Sequence, residues 1–298
     1  PLGADGSRGA QSASVFVEPA CAARSRPWLG FGGSFTEASA VALGRMAPPR
    51  REEALRAYFD AERGLGYTMG RVPIGSCDFG LGTWTCGDLA PGDHELRGFS
   101  LRPYEERGVL PMLRRAAELR GRPLDVLASP WSPPAWMKDT GQALRGGKLL
   151  PACRQAWALH FVRFARAMEE AGAPLWGVSV QNEAEAVTPW ESCVWTAEEE
   201  RDFVRDFLGP ALHGAGLAEL RVLIWDHNRD GMLERAAAVY RDPAAAKYVW
   251  GLGYHWYGDA RFELWPGRAE VAFEDRLRAA QAGRAPGGAA GERTDFTE

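Results

Sequence analysis

Leu124-Asp-Val-Leu-Ala-Ser-Pro-Trp131 is followed by Trp157-Ala-Leu-His-Phe-Val-Arg-Phe-Ala-Arg-Ala-Met168 and then by Leu175-Trp-Gly-Val-Ser-Val-Gln-Asn-Glu183. The first and third segments are short and mostly apolar, as strands buried on both faces must be. The middle one repeats Trp157, Phe161, Phe164 and Met168 at helical spacing, so those side chains form the core face of a helix rather than a cofactor box. Strand, helix, strand is the parallel βαβ unit, whose crossover returns the chain to the same end of a sheet. The alternation continues on both sides. Residues 29–35, 67–74, 220–226, 250–256 and 294–298 read as further buried strands, which makes seven. Helices are expected after Pro48-Pro49 with Leu55, Tyr58 and Phe59 on one face, over 103–120, from Thr196, near 230–241 and near 269–282. Thr196-Ala-Glu-Glu199 carries the capping-box pattern that starts a helix.

Repeated strand–helix units approaching eight predict an α/β fold, a (β/α)8 barrel with about seven strands present. A doubly wound nucleotide-binding sheet is set aside because no glycine-rich phosphate turn fits. Gly30-Phe-Gly-Gly33 lacks the final glycine spacing, and the run Gly141 to Lys148 misses the P-loop in register and in its Ser/Thr. Residues 1–27 read as a polar arm with one strand outside the barrel, and 28–298 as the barrel itself.

Composition narrows the partners. The 298 residues are 46% hydrophobic and carry a net charge of −4, so disorder is excluded and nucleic acid is not an expected partner. No apolar run reaches the ~18 residues of a membrane span. Twelve tryptophans lean toward a carbohydrate ligand, whose rings suit flat aromatic faces. Cys21, Cys77, Cys86, Cys153 and Cys193 contain no C-x-x-C pair, which argues against a zinc ribbon or a complete disulfide framework. The five histidines show neither H-x-H nor H-E-x-x-H spacing, so no metal and no cofactor is expected.

In such a barrel the chemistry comes from the C-terminal ends of the strands. Those positions hold Arg71, then Asp78, then Trp131, then Gln181-Asn182-Glu183, then Asp226-His227-Asn228, then His255-Trp256-Tyr257, and last Glu298. The only two asparagines of the chain, Asn182 and Asn228, both fall there. Two carboxylates among hydrogen-bonding and aromatic groups suit retaining glycoside hydrolysis, in which the carboxyls lie about 5–5.5 Å apart.

The motifs Gly30-Phe-Gly-Gly-Ser-Phe-Thr36, Arg71-Val-Pro-Ile-Gly-Ser-Cys-Asp-Phe79, Ala128-Ser-Pro-Trp-Ser-Pro-Pro-Ala-Trp-Met137, Gln181-Asn-Glu183, Trp190-Glu-Ser-Cys193 and His255-Trp-Tyr257 resemble glycoside hydrolase family 30, the glucosylceramidase-like group. The resemblance implies Glu183 as general acid/base and Glu298 as nucleophile. It further implies Asn182 on the sugar 2-hydroxyl, Asp78 and Trp131 on its remote hydroxyls, and Arg71, His255 and Tyr257 lining the glycone subsite with Trp256 beside them. The substrate would be a β-glucoside, glucolipid or β-glucan in a secreted or periplasmic setting. A β-1,6-glucanase or β-xylosidase on the same scaffold is the alternative enzyme. An inactive or merely sugar-binding remnant is the alternative outside catalysis. Ala184 stands where the family has proline. The family pattern also implies an eighth strand and most of a companion β-sandwich beyond residues 1–298. The charge of the nucleophile is expected to raise the pKa of Glu183.

Overall fold

Each apolar run pairs with the next in the order in which it occurs in the chain. The structure, a computed structural model, describes residues 28–87, 89–258 and the backbone of 296–297. The chain divides into two compact units, Pro1–Gly30 and Phe31–Glu298, and the sheet lies in the second. Its seven strands are β1 (Gly32–Ser34), β2 (Met69–Ile74), β3 (Asp125–Pro130), β4 (Leu175–Ser179), β5 (Arg221–Asn228), β6 (Gly251–His255) and β7 (Phe296–Thr297), all parallel and paired in that sequence. Sequential parallel pairing with helical crossovers is the wall of a (β/α)8 barrel, of which the described residues supply seven strands. The register sets Arg71 beside Ser34 on one side and Leu127 on the other, so the polar strand ends gather on one rim.

The helices cover the outside. They are α1 (Glu37–Gly44), α2 (Pro48–Phe59), α3 (Arg102–Glu106), α4 (Val109–Arg120), α5 (Arg154–Glu170), α6 (Ala197–Phe203), α7 (Gly209–Gly214), α8 (Met232–Tyr240) and α9 (Pro243–Ala246). Trp157, Phe161, Phe164 and Met168 of α5 are buried, as their spacing predicts. The capping box at α6 is present: Thr196 accepts from the amide of Glu199, and Glu199 accepts from that of Thr196.

Several boundaries differ from expectation, each for a local reason. The helix expected over 103–120 is two, because Gly108 takes φ 79° between α3 and α4. A five-residue π-helical turn, Val204–Leu208, links α6 to α7. Helix α1 was not anticipated, although Thr36 caps it by accepting from the amide of Ser39. Neither was α9, capped by Asp242. The fourth strand stops at Ser179 rather than 183, since the amides of Asn182 and Glu183 leave the ladder to bond Pro130 O and Asp226 O. The fifth runs on to Asn228 through a register shift between Trp225 and His227. The helix expected near 269–282 and the strand expected within residues 1–27 lie outside the described residues.

Two buried carboxylates fix the loop that follows β2. Glu37 accepts from Arg107, from Trp84 Nε1 and from the amide of Leu81, while Glu191 accepts from Ser76 Oγ at 2.6 Å. The loop bearing Asp78 is thereby tied to α1 and to the Trp190-Glu-Ser-Cys193 segment.

Candidate active site

Asp226 is the hub of the rim. Its Oδ2 accepts from Arg71 Nη2 at 2.8 Å and from Ser179 Oγ at 2.6 Å, and its Oδ1 lies 3.0 Å from His255 Nε2. The other nitrogen of that ring, Nδ1, lies 3.0 Å from Glu183 Oε1. Arg71 Nη2 also donates to Asn182 Oδ1 at 2.8 Å, and Nε donates to Ser129 Oγ at 3.1 Å. Its guanidinium sits 4.8 Å from the centre of the Trp131 ring, a cation–π contact. Residues of β2, β3, β4, β5 and β6, with the loop after β4, thus converge on one hydrogen-bonded chain from Arg71 through Asp226 and His255 to Glu183.

The backbone is strained where this chain is anchored. Glu183, Trp225 and Asp226 adopt φ of 50°, 75° and 46°, values that side-chain-bearing residues rarely take, and the amide of Glu183 donates to Asp226 O at 2.8 Å. Gly231 makes room for this turn, since a Cβ there would meet the Trp225 ring at 2.2 Å.

Electrostatics follow from the geometry. Burial opposes the charge on Asp226, but Arg71, His255 and Ser179 outweigh it and hold the carboxyl well below the ordinary range. Burial likewise opposes a charged His255, yet its bonds to Asp226 and Glu183 raise it to about 9. Glu183 is lowered, chiefly by the His255 bond. The pairing therefore favours a Glu183 carboxylate beside a charged His255 imidazole; the upward push expected from the charge of the nucleophile belongs to Glu298, which lies outside the described residues. Asp78 is raised, first by burial and also by the Glu183 charge, while a hydrogen bond from Trp131 opposes the shift.

The sequence-derived residues separate into three groups. Arg71, Asn182, Glu183 and His255 meet in one network, and Trp131 and Asp78 adjoin it. Trp256 and Tyr257, 68% and 52% exposed, pack against one another with ring centres 4.5 Å apart and planes tilted by 34° at the open rim. Glu298 lies outside the described residues. Asp226 had been placed at a strand end without a role. Ser129 and Ser179 were missed, although a small polar residue at the end of an apolar strand is the signal that marks them. Among the described residues, Glu183, His227 and His255 could gather on a metal ion, their ligand atoms lying within 4.8 Å of one another. Both His255 nitrogens already face carboxylates, so an ion would have to displace the His255–Glu183 bond. Cys77, Cys86, Cys153 and Cys193 are free and buried.

The glycosyl hydrolase family 30 TIM-barrel domain matches residues 29–277. The chain belongs to this family. Within family 30 it is 35% identical over 256 residues to mouse lysosomal acid glucosylceramidase, covering 83% of this chain and 48% of that protein. Among solved structures it is similar to SrfJ from Salmonella typhimurium, with TM-score 0.72, 37% identity, and coverage of 76% of this chain and 50% of that one. The endo-β1,6-glucanase BT3312 aligns with TM-score 0.71 and 32% identity over 78% of this chain and 53% of its own. The chain spans about half the length of the curated relatives it matches. No helix among the described residues is long and apolar enough to cross a membrane.

Proposed function

We propose that the chain is the catalytic barrel of a retaining β-glycosidase that releases a β-linked glucose, with Glu183 as acid/base. The observation that carries this is the Arg71–Asp226–His255–Glu183 chain: a carboxyl aimed from a strand end whose proton is held by a fixed imidazole. In the first step the His255 Nδ1 proton shifts to Glu183, which protonates the glycosidic oxygen as its bond to the anomeric carbon breaks. The nucleophile assigned by family resemblance, Glu298, bonds that carbon. Water then attacks that carbon as its bond to Glu298 breaks, giving a proton to Glu183 and freeing the sugar, and the proton returns from Glu183 to His255 Nδ1. Asn182 accepts from Arg71 through Oδ1, which turns its amide donors toward a sugar 2-hydroxyl. Asp78 and Trp131 would take the remote hydroxyls, and the open faces of Trp256 and Tyr257 suit a sugar or an apolar aglycone.

A glucolipid aglycone is favoured by the identity with the mouse glucosylceramidase. A β-1,6-glucan is the second reading, favoured by the likeness to the endo-β1,6-glucanase. The same proposal assigns residues 1–27 to a companion β-sandwich. Release of glucose from glucosylceramide and from a β-1,6-glucan by the full-length protein separates the two substrates. Glu183→Gln should slow phenyl β-glucoside far more than 2,4-dinitrophenyl β-glucoside, and azide should restore turnover as a β-glycosyl azide. Equal loss on both substrates without rescue would remove Glu183 from the acid/base role.

A further inference from the structure

Behind the rim, and touching no group that faces substrate, lies a second charged pair. Arg235 of α8 and Glu200 of α6 are 1% and 0% exposed at the side chain and lie 3.2 Å apart. Burying two such charges is unfavourable unless many hydrogen bonds compensate, and apolar side chains of the same size serve packing equally well. The partners of this pair explain its place. Glu200 Oε1 accepts from the amide of Trp225 at 3.0 Å, next to the register shift in β5 where the regular ladder is interrupted. That residue, with φ 75°, immediately precedes Asp226. The Arg235 guanidinium lies 5.0 Å from the centre of the Trp225 ring.

Arg235 also reaches the loop that carries Glu183. Its Nη2 donates to Trp195 O at 3.0 Å and to Glu185 Oε1 at 3.1 Å. Trp195 in turn donates its amide to Ala184 O at 2.8 Å and its Nε1 to Gln181 Oε1 at 3.3 Å. Gln181 Nε2 then donates to Trp131 O and to Asn182 O, each at 2.8 Å. One ion pair therefore braces the residues on both sides of Glu183 and the residue before Asp226.

We infer that Glu200 and Arg235 are positioning residues, which hold the Glu183 loop and the Asp226 turn at the separation the His255 bridge requires. This rests on the glycosidase reading above, and it adds to that reading two residues outside the site. The test is the double variant Glu200→Gln/Arg235→Met in the full-length protein, which removes both charges at once and leaves an amide oxygen for Trp225. Turnover is measured per titrated active site on phenyl and 2,4-dinitrophenyl β-glucosides, and the His255 ring is titrated by NMR. The expected result is a kcat loss about 10-fold greater on the phenyl substrate with little change in KM, because a displaced acid matters most where the leaving group needs its proton. The His255 midpoint should fall below that of the wild type titrated alongside. Arg235→Lys, which keeps a cation and a donor for Trp195 O, should recover most of the loss.

An equal fall on both substrates with an unmoved His255 midpoint would overturn the inference and leave the pair a purely structural role. Should the double variant fail to fold, Glu200→Gln alone carries the same two measurements. Should the wild type hydrolyse neither substrate, the glycosidase reading fails by itself. The His255 titration then still decides the positioning claim, a lowered midpoint supporting it and an unchanged one overturning it.

Discussion

Replacing Asp226 by asparagine keeps the volume of the hub and removes its charge. The carboxylate satisfies Arg71 at 2.8 Å, Ser179 at 2.6 Å and His255 at 3.0 Å, so the change weakens all three contacts at once. Burial pushes His255 down, and the bonds to Asp226 and Glu183 lift it from 6.5 to about 9. That difference, about 2.5 pH units at 1.36 kcal/mol each, is on the order of 3 kcal/mol between protonation states. Because the His255 pKa is raised on folding, this stabilisation is complete below ~6.5 and is lost as pH rises toward about 9. Asp226 behaves oppositely: its pKa is depressed, so its contribution is present above ~4 and fades as pH falls below that. In Asp226→Asn the His255 midpoint should drop by more than about one pH unit, and the loss of stability between pH 6.5 and 9 should flatten. Arg71 would also lose a buried partner, at a cost of roughly 3 kcal/mol near neutrality, or about 6–12 °C in Tm for a domain of this size. The assay is an NMR titration of the His255 ring with urea denaturation at several pH values. A wild-type midpoint near 6.5, or identical pH slopes for the two proteins, would refute the reasoning.

Gly231→Ala should destabilise the protein by about 2 kcal/mol or more, since the added methyl meets the Trp225 ring at 2.2 Å, and should lower kcat through the Asp226 turn; an unchanged Tm and kcat would count against that packing. Burial raises Cys77, Cys86 and Cys193 to about 12 and also raises Cys153, so none of these four thiols should react with an aromatic disulfide reagent until denaturant is added; mass spectrometry of the native protein locates any label. Trp131→Ala should raise KM for aryl β-glucosides and lower stability, because Arg71 loses the ring beneath it; Michaelis kinetics with unchanged KM would contradict the role of that face.

What the sequence reveals here is local, and what it hides depends on register. The apolar runs, the α5 core face and the Thr196 capping box each show a period or spacing within a few residues, and each is found. Asn182, Glu183 and His255 are visible because polar residues follow or end apolar strands, and Arg71 because it is a lone charge within an apolar run. The hub is not visible. Asp226 is joined to Arg71 across 155 positions of chain, and only the alignment of four strands brings Ser179 and His255 to the same carboxylate. The left-handed conformations at Glu183 and Trp225 left no trace either, since neither is glycine, asparagine or aspartate. The pairing that lowers the Glu183 carboxyl is hidden for the same reason: the imidazole that makes it lies 72 positions away.

The central claim is double displacement by a carboxyl pair that includes Glu183. Its most direct test is NMR observation of the first sugar formed from a reactive aryl β-glucoside by the full-length protein, before mutarotation. The account predicts that β-glucose appears first and the α-anomer only later. Initial release of α-glucose, the signature of single displacement, would contradict it.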